Sequence, residues 1–161
     1  TTFIFDVDGV ITNGDIVLHA NEFIRTLNVK DAYAIQHATK NGYYIFIITG
    51  GSSEEVKRRL LELGVKEVHL KSSNKLSVYE KIKTDYTLKD EEVLYMGDDI
   101  PDYPVMKKVG VANCPQDSAI EIKRICDYQS PVFGGKGCVR DVIEQTMRLH
   151  GKWFTEESMI W

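Results

Sequence analysis

The sequence predicts an α/β protein built on a doubly wound, mainly parallel sheet, and two observations carry that expectation. Short apolar runs at 3–5, 43–48, 65–70 and 92–96 alternate with stretches of helical length and period, the pattern of strands joined by crossover helices. Each run then delivers a polar or glycine-rich cluster at its carboxyl end, where open α/β sheets bind their ligands. The clusters are Asp6-Val7-Asp8-Gly9, Thr49-Gly50-Gly51, Ser72-Ser73-Asn74-Lys75 and Gly97-Asp98-Asp99.

The chain divides in order as follows. The run Phe3-Ile4-Phe5 suits a buried strand, and Gly9 releases the backbone after it. Residues 15–27 alternate as a β-hairpin, with Ile16 and Leu18 facing one way, a turn at Ala20-Asn21-Glu22, and Phe23 and Leu27 returning. Asp31 is placed to start a helix over 32–40, which Gly42 ends. After the second strand, Ser52 or Ser53 caps a helix running to Leu63, with Glu54 and Glu55 suited to a capping box. A third strand covers 65–70, and a helix opens at 72–75 and runs to about Thr84. The fourth strand, 92–96, is followed by a turn in which Pro101 or Pro104 suits the first turn of a helix. A fifth strand is expected at 109–112, a helix at 118–125, an extended piece at 127–129 and an amphipathic helix at 139–149. Residues 1–150 therefore read as one domain, and 151–161 as an aromatic tail without a clear period.

Composition narrows the function classes. With 43% apolar and 27% charged residues the chain is ordinary for a globular protein, and 161 residues are enough for a real core. A net charge of −4 with no long basic run argues against nucleic acid or an anionic membrane surface as partner. Cys114, Cys126 and Cys138 form no C-x-x-C pair and no His-Cys cluster, which argues against zinc and against a disulfide framework. There is no signal peptide or apolar run of transmembrane length, so a cytoplasmic protein is expected. The chain begins at Thr1 without Met, which fits a trimmed leader.

An isolated D-x-D-G is most often a surface turn, because Asp-Gly pairs form turns readily. Its company changes the reading. A parallel sheet would gather Asp6, Asp8, Asp98, Asp99 and Asp102 with Thr49 and Lys75 in one crevice. Clustered carboxylates raise one another's pKa unless a cation neutralises them. Oxygen ligands without His or Cys favour a hard ion, Mg²⁺ first. Thr49, Lys75 and the Gly50 and Gly51 amides remain as donors to an anion, and a hydroxyl with amides at a helix start suits phosphate. A divalent metal, a phosphate cradle and no Ser or Cys nucleophile point to phosphoryl transfer onto Asp.

These residues also carry a resemblance. D-x-D-G-V at 6–10, the apolar run ending in T-G at 49–50, Lys75 and G-D-D-x-x-D at 97–102 resemble the four motifs of the haloacid dehalogenase superfamily. The resemblance implies a Rossmann-like core with Asp6 as nucleophile and Asp8 as general acid and base. It also implies Thr49 and Lys75 on the phosphoryl oxygens, and Mg²⁺ held by Asp6, the Asp8 carbonyl and Asp98. Asp99 and Asp102 would be further ligands or their supports. N-V-K-D-A-Y at 28–33, S-N-K-L at 73–76, G-D-D-I-P-D-Y-P-V-M at 97–106 and G-G-K-G-C-V-R-D-V at 134–142 are similar to the capless branch of 3-deoxy-D-manno-octulosonate (Kdo) 8-phosphate phosphatases. That branch is tetrameric and serves lipopolysaccharide synthesis, and the resemblance implies sugar contacts from Asn28, Val29, Lys30, Asp31, Gly50, Arg59 and Lys75. From the residues alone, Arg59, Lys136 and Arg140 read as solvated cations.

The spacing independently leaves no room for a cap. A hairpin, a helix and a strand use up the segment between Asp8 and Thr49, and a helix and a strand fill the one from Thr49 to Lys75. The hairpin and the tail are then candidates to cover a neighbour's site, simple docking being the other reading of the tail. One departure stands out: the family often carries Arg after Thr-Gly, and the sibling phosphatases for 2-keto-3-deoxynononate 9-phosphate tend to carry Glu, whereas this chain has Gly51. Gly51 matches neither, so the eight-carbon substrate rests on the longer motifs, with the nine-carbon sugar acid as the alternative. A phospho-accepting receiver domain is a distant alternative, because receivers place paired acids first, one acid in the middle and Lys last, which is not the order here.

Overall fold

The computed structural model describes residues 1–160, apart from the side chain of Glu22; Trp161, the end of the expected tail, lies outside the described residues. In chain order the elements are β1 (Thr2–Phe5), a hairpin of β2 (Val17–His19) and β3 (Glu22–Ile24), α1 (Val29–Lys40), β4 (Tyr44–Ile48), α2 (Glu54–Glu62) and β5 (Glu67–His69). There follow α3 (Lys75–Asp85), β6 (Val93–Met96), α4 (Tyr103–Met106), β7 (Val111–Cys114), α5 (Ile120–Lys123), β8 (Tyr128–Gln129) and α6 (Cys138–Leu149). The six-stranded sheet runs β5-β4-β1-β6-β7-β8 with every pairing parallel, and the hairpin forms a separate antiparallel ribbon. This is the doubly wound sheet with a flap that the alternating pattern predicts.

Alternation along each central strand feeds two cores. Phe3 and Phe5 of β1, with Ile45 and Ile47 of β4, pack under α1, α2 and α6. Ile4, Phe46, Ile48 and Tyr95 point the other way and pack under α3, α4 and α5. Because β1 is covered on both faces and bordered on both edges, the residues that follow it start from a fixed point.

Several boundaries differ from the sequence expectation for identifiable reasons. Asn28, not Asp31, caps α1: its side chain accepts from the Lys30 amide at 2.8 Å. Asp31 is instead buried, and its Oδ1 accepts from the Arg140 amide in the first turn of α6 at 2.7 Å. The helix expected at 118–125 shrinks to α5 because Ala119 is extended and donates its amide to the Asp98 carbonyl at 2.9 Å. The strand expected at 109–112 starts at Val111, since Gly110 is tied to the Asp90 carbonyl at 2.7 Å. The tail docks on its own chain: Trp153 is buried in the core under α1, its carbonyl meets His37 Nε2 at 3.2 Å, and Tyr33 donates its hydroxyl to the Ser158 carbonyl.

One glycine shows how the last loop braces the first. A Cβ on Gly134 would fall 2.0 Å from the Gly9 carbonyl oxygen, while the Gly135 amide donates to the Val10 carbonyl at 2.8 Å. Gly134→Ala must push the Gly9 loop away. A loss of about 1–3 kcal/mol and a fall in Tm of roughly 3–10 °C are expected, read by thermal denaturation; an unchanged Tm would show that the loop yields freely.

Candidate active site

At the carboxyl end of β1 the backbone turns through a single wide helical turn, Val7–Ile11, closed by the Thr12 amide on the Val7 carbonyl at 2.9 Å. Gly9 sits in the left-handed region at φ 89°, and a Cβ there would lie 2.0 Å from Asp98 Oδ2. No other residue permits both the turn and the approach of Asp98. Asp6 and Asp8 are thereby brought to the edge of the sheet beside the end of β6.

A crevice of about 400 Å³ lies there, lined by Asp6, Asp8, Thr49, Lys75, Asp98 and Asp102, with Gly50, Gly51, Ser72, Ser73, Asp99 and Pro101 around them. The sequence-predicted carboxylates, hydroxyl and ammonium thus meet in one place. Ser72, Ser73 and Pro101, which the sequence placed only at helix starts beside Lys75 and Asp102, join them in the lining. Thr49 is held at the end of β4 by its own amide on the His69 carbonyl at 3.0 Å, and its Oγ1 accepts from the Gly51 amide at 3.1 Å. Lys75 opens α3, whose cap is Asn74.

Lys75 is buried between two acids, with Nζ 2.8 Å from Asp6 Oδ2 and 2.7 Å from Asp102 Oδ1. Burial works against its charge, but Asp6 and Asp102 raise its pKa above the ordinary lysine value. Asp102 is completely used as a support. Oδ1 accepts from Lys75 and from the Tyr95 hydroxyl at 2.6 Å, and Oδ2 accepts from the amides of Asp98 and Asp99 at 3.1 and 3.3 Å. Asp99 caps the short turn Ile100–Asp102 through the Ile100 amide at 2.8 Å.

One oxygen each of Asp6, Asp98 and Asp102 lies within 4.8 Å of the others, a spacing that can hold a cation. Since both Asp102 oxygens are committed, Asp6 and Asp98 are the two with capacity to spare. Among the described residues Asp98 Oδ1 is buried with no hydrogen-bond partner. A buried, orphaned carboxylate oxygen is costly, and a divalent cation at this point would satisfy it. Burial first, and then Asp6 and Asp102, push Asp98 up to about 8. Burial first, and then Asp102, likewise raise Asp6. An all-oxygen donor set with these properties fits a hard divalent ion.

Asp8 is held differently. Its carboxylate accepts Nε and Nη2 of Arg25 at 2.7 and 3.0 Å, a fork from the far end of the hairpin, and Thr12 Oγ1 at 3.2 Å. Sequence reasoning missed Arg25. The only signal was an arginine in the hairpin of a chain that has Gly51 where the family often has Arg.

The remaining expected sugar contacts are not brought to this crevice. Arg59 pairs with Glu62 on exposed α2, at 3.4 Å. Asn28 and Asp31 cap helices as described, and Val29 and Lys30 are exposed. Lys136 is exposed in the loop before α6, and Arg140 lies over the Trp153 ring at 5.1 Å.

Comparison with known proteins agrees with the geometry. The chain is 35% identical to the 3-deoxy-D-manno-octulosonate 8-phosphate phosphatase of Escherichia coli K12 over 150 residues, 92% of this chain and 80% of that one. The crystal structure of the Yersinia pestis phosphatase of the same name superposes with a TM-score of 0.91 at 30% identity, covering 94% of this chain and 82% of that one. The Moraxella catarrhalis phosphatase, solved with a magnesium ion, a phosphate ion and a Kdo molecule, superposes at 0.88 with 28% identity, covering 91% and 85%. No family model matches the chain. With a central Asp-x-Asp turn, a lysine between acids and an orphaned carboxylate at one sheet edge, the chain belongs to the 3-deoxy-D-manno-octulosonate 8-phosphate phosphatases of the haloacid dehalogenase superfamily.

Proposed function

We propose that the chain is an Mg²⁺-dependent phosphatase that hydrolyses 3-deoxy-D-manno-octulosonate 8-phosphate to the free sugar acid and phosphate, through a phosphoryl group carried on Asp6. The observation that carries this is the meeting of Asp6, Lys75 and the orphaned Asp98 oxygen at the end of β1, in a chain of this family. Asp6 attacks phosphorus while Asp8 gives its proton to the departing sugar oxygen. Asp8 then takes a proton from the water that attacks phosphorus, and phosphate leaves with Asp6 restored. Lys75, Thr49 and the Gly50 amide hold the phosphoryl oxygens, where fixed donors act most strongly as charge builds, while the Gly51 amide, which the sequence also offered as a donor, is taken up by Thr49 Oγ1. Asp6, Asp98 and the Asp8 carbonyl would hold Mg²⁺, which would supply the charge that lets two carboxylates face a phosphate. Asp102 and Asp99 orient these groups without touching substrate.

Phosphate release from the eight-carbon and nine-carbon sugar-acid phosphates, measured side by side with Mg²⁺, tests the substrate. A higher kcat/KM on the eight-carbon ester is expected; preference for the nine-carbon ester would replace it.

The metal has its own test. Asp98 and Asp6 keep protons in the folded chain at pH values where the unfolded chain has lost them. The metal-free protein therefore loses stability as pH rises from about 4 towards 8. Binding of Mg²⁺ to the ionised pair reverses this, so Mg²⁺ should raise Tm more at pH 8 than at pH 5. At about 100 times its Kd the gain at pH 8 is about 2.7 kcal/mol, or roughly 5–10 °C. Equal shifts at both pH values, by thermal denaturation, would place the ion elsewhere.

A homotetramer acting in the cytoplasm completes the proposal. The hairpin leaves Leu18 76% and Phe23 64% exposed, with Val17 and Ile24 beside them, an apolar surface suited to a neighbouring copy. Among the described residues no helix is long and apolar enough to cross a membrane. Sedimentation at micromolar concentration should give four chains.

A further inference from the structure

Two cavities flank the ion pair of Asp8 and Arg25, Asp8 lining one and Arg25 the other. One is the crevice that gathers Lys75 and the carboxylates. The other, of about 430 Å³, lies between the hairpin and the start of α2 and is lined by Asn21, Phe23, Arg25, Ser52, Ser53 and Glu55, among others. That volume falls within the roughly 300–1,000 Å³ of small-molecule sites. A small space lined by Asp8, Thr49, Gly51 and Arg25 lies between them and shares walls with both. Among the described residues, Lys75 is the only cation lining the crevice and Arg25 the only one lining the second cavity.

The arrangement fits a substrate with two anionic ends. If Asp8 protonates the leaving oxygen, the leaving group must extend past Asp8, away from Lys75, and that is where the second cavity opens. Asn21, Ser52, Ser53 and Glu55 can meet hydroxyls. Arg25 is well buried, its side chain 8% exposed. Its Nε and Nη2 grip Asp8, and Nη1 makes only a long contact, 3.5 Å, to the Phe23 carbonyl. With five N–H groups on a planar fork, it keeps donors for a second carboxylate.

Gly51 makes this possible. A Cβ at 51 would sit 3.5 Å from Asp8 Oδ2 and 3.7 Å from Arg25 Nη2, so a long side chain from 51 and the Arg25 guanidinium compete for one place.

We propose that the cavity between the hairpin and α2 is the leaving-group subsite, and that Arg25, reaching through the space left by Gly51, is the specificity residue that binds the sugar acid's carboxylate. The assignment rests on the phosphatase reading above for the identity of that acid. In the bound state Arg25 bridges Asp8 and the carboxylate. The hairpin that carries it therefore takes part in choosing the substrate.

The test is a calorimetric titration of the Mg²⁺-loaded enzyme with free 3-deoxy-D-manno-octulosonate and with its carboxamide, alongside hydrolysis of the phosphate ester. Wild type should bind the acid roughly 10- to 100-fold more tightly than the amide, the range for hydrogen bonds to a charged group. Arg25→Ala should bind the two equally, and Arg25→Ala with Gly51→Arg should recover the preference by returning a guanidinium to the same place. Recovery also separates a binding role from mere damage to the fold. Equal binding by wild type, or a preference that survives Arg25→Ala, overturns the subsite even if the ester is hydrolysed. Failure to hydrolyse the ester, with an acid preference that depends on Arg25, removes the substrate assignment and leaves the subsite standing.

Discussion

Asp6→Asn should lower kcat by on the order of 10⁴-fold or more while the protein stays folded. The amide has the size of the carboxylate but cannot carry a phosphoryl group, and removing a nucleophile costs several orders of magnitude in comparable enzymes. Its surroundings favour retention of the fold. The Asn carbonyl can still accept from the Val7 amide, which reaches Asp6 Oδ1 at 2.7 Å, and Lys75 keeps Asp102. Because Asp6 is an acid held above its ordinary pKa by burial, replacing it with a neutral isostere removes a strained charge. The metal-free variant should melt no lower than wild type at pH 8. Phosphate release and thermal denaturation check both parts, and residual activity within tenfold of wild type would mean that another group attacks phosphorus.

Lys75→Met should damage both activity and stability. Among the described residues the ammonium is the one cation beside the three acids Asp6, Asp98 and Asp102. Breaking a buried ion pair by removing one partner typically costs about 3–5 kcal/mol. Part of that returns if an abandoned carboxylate takes up a proton, so the loss should be larger at pH 8 than at pH 5. Losing a fixed donor to the transferred phosphoryl group should reduce kcat by roughly 10²–10³-fold, with weaker inhibition by inorganic phosphate. Unchanged kinetics in a folded variant would remove Lys75 from the site.

What the sequence revealed about this site follows from how the sheet is made. Buried parallel strands are short apolar runs, so their carboxyl ends can be read directly. The residues placed there (Asp6, Asp8, Thr49, Lys75 and Asp98) are fixed by local chain geometry. Contacts set by tertiary packing were not readable. Arg25 reaches Asp8 from a hairpin whose own pattern shows only alternation. Asp31 looks like a helix cap for the segment that follows it, yet it serves α6, more than a hundred residues away. Trp153 lies in an aperiodic tail, and nothing local says that α1 will receive it. Arg59 is the reverse case, since Glu62 three residues on was a visible sign of a helix-surface pair.

The most direct test of the central claim is to quench the enzyme in acid during turnover of 3-deoxy-D-manno-octulosonate 8-phosphate with Mg²⁺, reduce it with borohydride and map the peptides. An acyl phosphate is reduced to the alcohol, so homoserine should appear at position 6 and should be absent from Asp6→Asn and from enzyme without substrate. Turnover that leaves position 6 as Asp, or homoserine at Asp8 or Asp98 instead, would contradict the assignment of Asp6 as the group that carries the phosphate.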